Sequence, residues 1–478
     1  MCLFHAGAVA RESGGRKMTE NIIGTKYGKV RGIERDGCVQ FLGIPFAKKP
    51  LGELSFKHPL EPEKWDGILD ASTGSKNPIQ HVGHTGSSYM SQDCLYMNLF
   101  VPKSGKQNLP VLVWIFGGSY AEGGAGEAEE GSGRLLYDMA KVAVETESIV
   151  VTFNYRLNIY GFLNLSFLDK ENGGKNLFDR NCGLFDQIRA LEFVRDNIGF
   201  FGGDNGNVTL FGQSAGGACI LALMSMDEAK NLFNKAYVMS ACIEHFFTEE
   251  ESRKNTERYL KTLGIKKNEL EKVFGMNAEM ISKANKKFSN DMRFKRFELR
   301  CAFSPTIDGT TLKGAPGTLA KECGKPLLIG TVEEEANPFT LPLPTPLLFL
   351  MSKILKIKPV KSGKSYKHQI SDSVTKIIYV NPLERLLSGY KGDAWRYLYK
   401  YATPDSIEKG IGCYHFCDVP VLLGKSTKME CVDDEKSQEV GKRMRSILKE
   451  FVWKGNPGWK KNPGWKKNSA GDEPHEIC

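Results

Sequence analysis

Residues 209–220 read TLFGQSAGGACI, and inside them Gly212-Gln213-Ser214-Ala215-Gly216 has the form G-x-S-x-G. Five residues alone leave two readings open: a nucleophilic serine on a sharp elbow, or a small residue in an ordinary glycine-rich turn. The flanks bear on the choice. Val208–Phe211 is a short β-rich run, and Ala218-Cys-Ile-Leu-Ala-Leu-Met224 is a good helix former. Strand, tight turn and helix form the context in which a serine hydroxyl is lifted clear of a sheet. Glycines at 212 and 216 suit such an elbow, which leaves no room for Cβ atoms on either side of the serine. The peptide N–H of Ala215, at the helix start, then faces any negative charge that develops beside the serine.

Working outward, the same strand–helix alternation extends through the middle of the chain. Val111–Phe116, Ser148–Asn154, Ala236–Met239 and Leu327–Gly330 are further apolar runs. They are continuous, not alternating, which suits strands covered by helices on both faces. Between the second of these and Val208–Phe211, Leu184, Ile188, Leu191, Val194 and Ile198 recur at helical spacing on one stripe. The order predicts βαβ units, an α/β fold and a central, mostly parallel twisted sheet flanked by helices.

Bulk properties exclude several classes. The 478 residues are 41% hydrophobic and 25% charged, an ordinary globular balance. No window reaches 18 uncharged apolar residues, so no membrane span and no stable membrane insertion are expected. The net charge of +9 gathers in Lys353–Lys367 and Lys454–Lys467, without any nucleic-acid motif nearby. Twelve cysteines are scattered with no CxxC pair, and Cys413 and Cys417 have no second Cys or His cluster to complete a metal site. The opening MCLFHAGAVARESGGRKM has too broken an apolar run for a secretory signal. Reduced thiols and a cytoplasmic location are therefore expected.

Residues 1–17 match nothing else in the reading and are expected to be a disordered tail or a leader upstream of Met18. Residues 18–456 are expected to form one domain. Two stretches read as insertions on it: 246–300, charged and helical in period, and 339–370, a Pro-broken apolar segment followed by spaced lysines. Residues 457–478 read as a ragged extension, because NPGWKK at 456–461 repeats at 462–467 and two Pro-Gly turns build no core.

A second glycine-rich turn, Trp114-Ile-Phe-Gly-Gly-Ser-Tyr120, follows the strand 111–116. Its N–H groups suit an anion, yet no Gly-Lys-Ser/Thr follows, which argues against a phosphate loop. With this turn in place, the chain resembles the carboxylesterase/cholinesterase (type-B carboxylesterase) family of α/β-hydrolases over roughly residues 24–456. The resemblance is carried by FLGIPFAKKPLGELSFKHPLEPEKW at 41–65, SQDCLYMNLFVP at 91–102, NYRLNIYGFL at 154–163 and FGGDNGNVTLFGQSAGG at 201–217.

The resemblance implies an α/β-hydrolase fold with helical insertions over the active site, and a serine esterase acting on a small-molecule ester without metal or organic cofactor. It places the nucleophile at Ser214 and the acid at Glu335, in the string Gly330-Thr-Val-Glu-Glu-Glu-Ala336, with Glu334 its confusable neighbour. The base falls at His415, in Cys413-Tyr-His-Phe-Cys-Asp-Val-Pro420. Ser214, Glu335, His415 is the α/β-hydrolase chain order. The oxyanion hole would use the N–H groups of Gly118, Ser119 and Ala215, with Gly117, Gln213 and Ser240 supporting these groups. A monomer or weak homodimer is expected. The competing expectations are a cholinesterase-like binding module without catalysis and, among hydrolases, a lipase whose acyl pocket or lid is the run 339–351.

Five departures from the family pattern stand out. Ser119 replaces a third glycine, Tyr120 a phenylalanine and Gln213 the commoner glutamate. Cys94 matches a cysteine that secreted relatives pair with an upstream one, yet residues 71–93 hold no Cys. An arginine–glutamate ion pair of relatives is also replaced on both sides, by Ser55 and Gln92. Losing one partner would strand a buried charge at about 3–5 kcal/mol, whereas replacing both is close to neutral. Restoring Arg at 55 and Glu at 92 together should therefore show favourable coupling in a double-mutant cycle of unfolding free energies. Coupling near zero would mean that the two positions do not touch.

Overall fold

A computed structural model of the chain describes residues 21–81, 89–128, 130–171, 173–295, 299–427, 430–458, 465 and 473–478. The expected leader at 1–17, and most of the NPGWKK repeat, lie outside the described residues. A 10-stranded sheet organises the rest. In chain order its strands are β1 (Ile33–Arg35), β2 (Cys38–Pro45), β3 (Tyr96–Pro102), β4 (Leu109–Ile115), β5 (Ile149–Phe153), β6 (Gly203–Gln213), β7 (Lys235–Met239), β8 (Leu327–Val332), β9 (Ala394–Tyr399) and β10 (His475–Ile477). Across the sheet they run β10-β9-β8-β7-β6-β4-β5-β3-β2-β1. Every pairing from β10 to β5 is parallel, and those joining β5, β3, β2 and β1 are antiparallel.

The continuous apolar runs are explained by burial on both faces. Every residue of β4, β5, β7 and β8 is buried. Helix α1 (Cys182–Asn197) turns Leu184, Ile188, Leu191 and Val194 inward, and Ile198 continues the buried stripe just past its end. Helix α2 (Ala215–Met224) is buried along its whole length beside β6.

The two expected insertions are helical. The first contains α3 (Glu249–Leu263) and α4 (Ala278–Asn290), and α3 opens with a capping box between Thr248 and Glu251. The second contains α5 (Thr345–Ile354) and α6 (Tyr366–Thr375). Leu343, Leu348, Met351, Ile357, Ile370 and Val374 build a hydrophobic cluster there, apart from the main core.

The reading of the tail needs correction. His475–Ile477 pairs in parallel with Tyr397–Tyr399, so β10 closes one edge of the sheet and the domain does not stop at 456. Trp465, only 2% exposed, stacks on His475 at 4.2 Å. The repeat misled because a short strand whose partner lies 78 positions upstream leaves no local signature.

One buried ion pair fixes the loop after β5. Asp186 on α1 accepts from Arg156 Nη2 at 2.7 Å, Nε at 2.8 Å and the Arg156 backbone N–H at 2.9 Å. The same segment reaches the turn after β4: Tyr155 Oη donates to Phe116 O at 2.6 Å, and the Asn158 N–H to Tyr120 O at 2.8 Å. Asp186→Asn would leave the guanidinium buried without its counter-charge. We expect a loss of about 3–5 kcal/mol in chemical denaturation. A change under about 1 kcal/mol, the range of surface pairs, would refute the structural role.

Candidate active site

The elbow is set by contacts that only glycine permits. Ser214 caps α2 with φ 58° and ψ −124°, a conformation costly for a residue with a Cβ. A Cβ on Gly216 would lie 2.0 Å from Ile115 O, and one on Gly212 would lie 2.6 Å from the same oxygen. The end of β4 thus presses directly on the backbone around the serine. The Ser214 N–H donates to Met239 O at 2.9 Å, which ties the elbow to β7 as well.

The turn after β4 lies against the same elbow. A Cβ on Gly117 would meet Gln213 O at 2.6 Å and Ser214 Cβ at 3.0 Å. Gly118, Ser119 and Tyr120 follow with φ of 110°, 55° and 60°, and a Cβ on Gly118 would lie 2.0 Å from Glu122 O. Among the described residues, the N–H groups of Gly118, Ser119 and Ala215 donate to no protein acceptor. The side chains of Ser119 and Ser214 line one cavity of about 230 Å³.

Glu335 and His415 come together from β8 and the loop after β9. His415 Nδ1 lies 2.6 Å from Glu335 Oε2, and Glu335 Oε1 accepts from the Val332 N–H at 3.0 Å. Glu335 is fully buried. Its neighbour Glu334 does something else. It accepts from the Cys413 N–H at 3.1 Å, and its own N–H donates to Cys413 O at 2.9 Å. One glutamate holds the histidine loop and the next faces the ring, a division that three glutamates in a row could not disclose. With the Nδ1 proton held towards Glu335, Nε2 is an acceptor and takes a hydrogen bond from Gln213 Nε2 at 3.2 Å. Gln213 directly precedes Ser214, so this contact brings the imidazole to the elbow.

The Carboxylesterase family model matches residues 19–345, which include Ser214 and Glu335. The chain belongs to the carboxylesterase family. It is 34% identical over 467 residues to the para-nitrobenzyl esterase of Bacillus subtilis (strain 168), across 92% of this chain and 91% of that protein. A solved PNB esterase superposes with a TM-score of 0.80 at 32% identity, covering 94% of each chain. Carboxylesterase 4A of Bos taurus is 32% identical over 360 residues, covering 68% of this chain and 62% of that protein. The protein is a carboxylic ester hydrolase with the α/β-hydrolase fold.

Several residues beside the site of this esterase had no motif to announce them. Phe339, from the second insertion, and Tyr379, in the helical segment that follows it, set their rings 5.5 Å and 5.2 Å from that of His415. Phe416 adopts φ 87° directly after the histidine. Gln213 was expected to support the site, and its amide touches the histidine itself. Ser240, the other supporting residue named from sequence, is fully buried at φ 49°, and its N–H donates to Gly330 O at 2.8 Å. The cysteine comparison is also answered: Cys94 is a buried free thiol. The side-chain oxygen of Ser55 and the amide nitrogen of Gln92 are buried without partners among the described residues.

Asp418, three residues past His415, is fully buried, and its carboxyl has no side-chain hydrogen-bond partner among the described residues. Burial first, and then the charge of Glu335, push its carboxyl up to about 7. The folded chain thus keeps a proton there over a range in which an unfolded aspartate, with a pKa of about 4, has lost it. That contribution to stability is fully present below the unfolded value and is lost as pH rises through about 7. Asp418→Asn has a similar shape and cannot ionise. The melting temperature of the variant minus that of the wild type should therefore increase from pH 5 to pH 8. A difference that stays constant would contradict the assignment.

Proposed function

We propose that Ser214, His415 and Glu335 form the catalytic triad of this esterase, and that esters of short to medium apolar acids are its substrates. The reading is supported above all by the 2.6 Å contact between Glu335 and His415, with the amide next to Ser214 on the other ring nitrogen. His415 takes the Ser214 hydroxyl proton as the oxygen attacks the ester carbonyl, then returns it to the departing alcohol. Water deacylates the seryl ester by the same route in reverse. Glu335 holds the ring in the tautomer whose Nε2 is free to act as base, and stabilises the imidazolium. Gln213 shares that nitrogen in the resting enzyme and yields it when the hydroxyl is engaged.

The N–H groups of Gly118, Ser119 and Ala215 are assigned to the oxyanion. They are pre-aimed by the backbone and need no reorganisation as charge develops. Ser119 and Tyr120 hold the positive φ of this turn in spite of their Cβ atoms, so the departure from glycine changes its cost and not its donors.

The cavity sets the acyl preference. Leu343, Leu348, Met351, Leu355, Ile370 and Val374 give it an apolar wall. At about 230 Å³ it is smaller than sites for drug-sized ligands, which span about 300–1,000 Å³. That supports an esterase for short chains over a lipase, with the run 339–351 as acyl wall. No helix is long and apolar enough to cross a membrane among the described residues. A reducing, cytoplasmic setting is proposed because the Cys413 and Cys417 sulfurs lie 4.0 Å apart as free thiols. The chain is proposed to act as a monomer or weak homodimer.

Hydrolysis of p-nitrophenyl esters tests these roles. Ser214→Ala should lower kcat by about 10⁴-fold or more with its fold intact. Wild-type kcat/KM should favour butyrate over palmitate by about tenfold or more. Retained activity in the alanine variant would remove Ser214 from the mechanism, and a preference for palmitate would restore the lipase reading.

A further inference from the structure

Beside its apolar wall, the cavity carries polar side chains for which ester hydrolysis has no use. Cys242, His245 and Cys301 line it together with Ser119 and Ser214. Cys242 stands three residues beyond β7, and Cys301 lies just past the insertion that holds α3 and α4. The two thiols are near neighbours, each the strongest influence on the other's ionisation, and His245 and Ser119 act on Cys301 as well. On the other side, Cys242 Sγ donates to Tyr379 Oη at 3.8 Å, and the Tyr379 ring abuts His415. Both cysteines are free, Cys242 buried and Cys301 half-buried.

A buried cysteine is commonly no more than a small apolar side chain. That accounts for Cys219 inside α2, but not for two neighbouring thiols that share a cavity wall with an imidazole and a hydroxyl. Among the described residues no three His, Cys, Asp or Glu side chains converge as metal ligands would. Thiol chemistry remains. The contacts with Cys242 and then His245 hold the Cys301 thiol well below its usual range, and the thiolate is the form that attacks peroxides.

We propose that Cys242 and Cys301 form an oxidisable dithiol site in the active-site cavity, which hydrogen peroxide or a small organic hydroperoxide converts to a disulfide that slows ester turnover. The Cys301 thiolate attacks one peroxide oxygen: an S–O bond forms, the O–O bond breaks, and the departing hydroxide (or alkoxide) takes a proton. The Cys242 sulfur then attacks the sulfenic acid. The S–S bond forms, the S–O bond breaks, and the Cys242 proton leaves with the hydroxide as water. Two thiol sulfurs are oxidised, one peroxide is reduced, and a thiol reductant reverses the change.

The link would tie the strand end beside the elbow to the α3–α4 insertion. It would also replace a thiol with a disulfide on the cavity wall that Ser119 of the proposed oxyanion turn shares. Its effect on turnover rests on the function proposed above, whereas the cross-link itself does not. Cys413 and Cys417 serve as an internal control. Their sulfurs are 4.0 Å apart, yet both are buried away from the cavity.

The experiment treats the intact wild-type chain with hydrogen peroxide, alkylates remaining thiols and maps peptides by mass spectrometry. The expected product is a Cys242–Cys301 disulfide that dithiothreitol removes, and Cys301→Ser should give none. Recovery of both cysteines alkylated, a Cys413–Cys417 disulfide in their place, or over-oxidation of Cys301 alone would each overturn the site. In parallel, p-nitrophenyl butyrate kcat/KM should fall by about tenfold or more on oxidation and return on reduction, since small displacements at a reacting centre are costly. Unchanged turnover with the cross-link formed would overturn the regulatory effect while leaving the site.

Discussion

Everything at the centre of this molecule depends on one close approach of bare backbone. The carbonyl oxygen of Ile115, at the end of β4, occupies the space that side chains on both Gly212 and Gly216 would need. Gly117 in turn sits on the carbonyl of Gln213. Three glycines are required together because two strand ends and a helix start meet with no side-chain layer between them. Positive φ at Ser119, Tyr120 and Ser214 follows from the same crowding, as the chain must turn sharply to leave the contact. Such conformations persist only where the surroundings over-determine them. Here the buried Arg156–Asp186 pair and the Tyr155 hydroxyl supply part of that support.

The sheet converts this local geometry into a site. Parallel strands deliver their carboxyl ends to one edge, where the elbow, the turn after β4, the acid after β8 and the histidine loop after β9 all arrive. The two helical insertions then cover that edge and supply the cavity wall. In the proposed function, chemistry and selectivity thereby come from different parts of the chain. The sheet ends carry the polar groups around His415, and the insertions carry much of the apolar lining.

Residues whose role is dictated by nearby backbone were legible in the sequence. The elbow, the five apolar strands and the stripe on α1 each leave a pattern within a dozen positions. Glu335 and His415 were reached only through resemblance, because a buried carboxylate and its imidazole lie 80 positions apart and no periodicity links them. Gln213 was legible as a residue but not as a contact, since what its amide meets depends on a loop 202 positions away. The edge strand β10 and the thiol pair of the cavity share that limit. Their partners are set by tertiary packing, and a scan for local motifs sees only a repeat and scattered cysteines.

The insertion around α5 and α6 has a hydrophobic cluster of its own, built from Leu343, Leu348, Met351, Ile357, Ile370 and Val374. Structure that packs on itself gains and loses free energy as a local unit, with limited debt to the rest. Substitutions that reshape this wall would therefore draw on the marginal stability of the cap and leave that of the sheet almost untouched. Selection for new acids could then proceed in many small steps, each tolerated by a scaffold whose elbow admits almost none. On the proposed reading, the division into two cores leaves the elbow little room to change and the cavity wall a great deal.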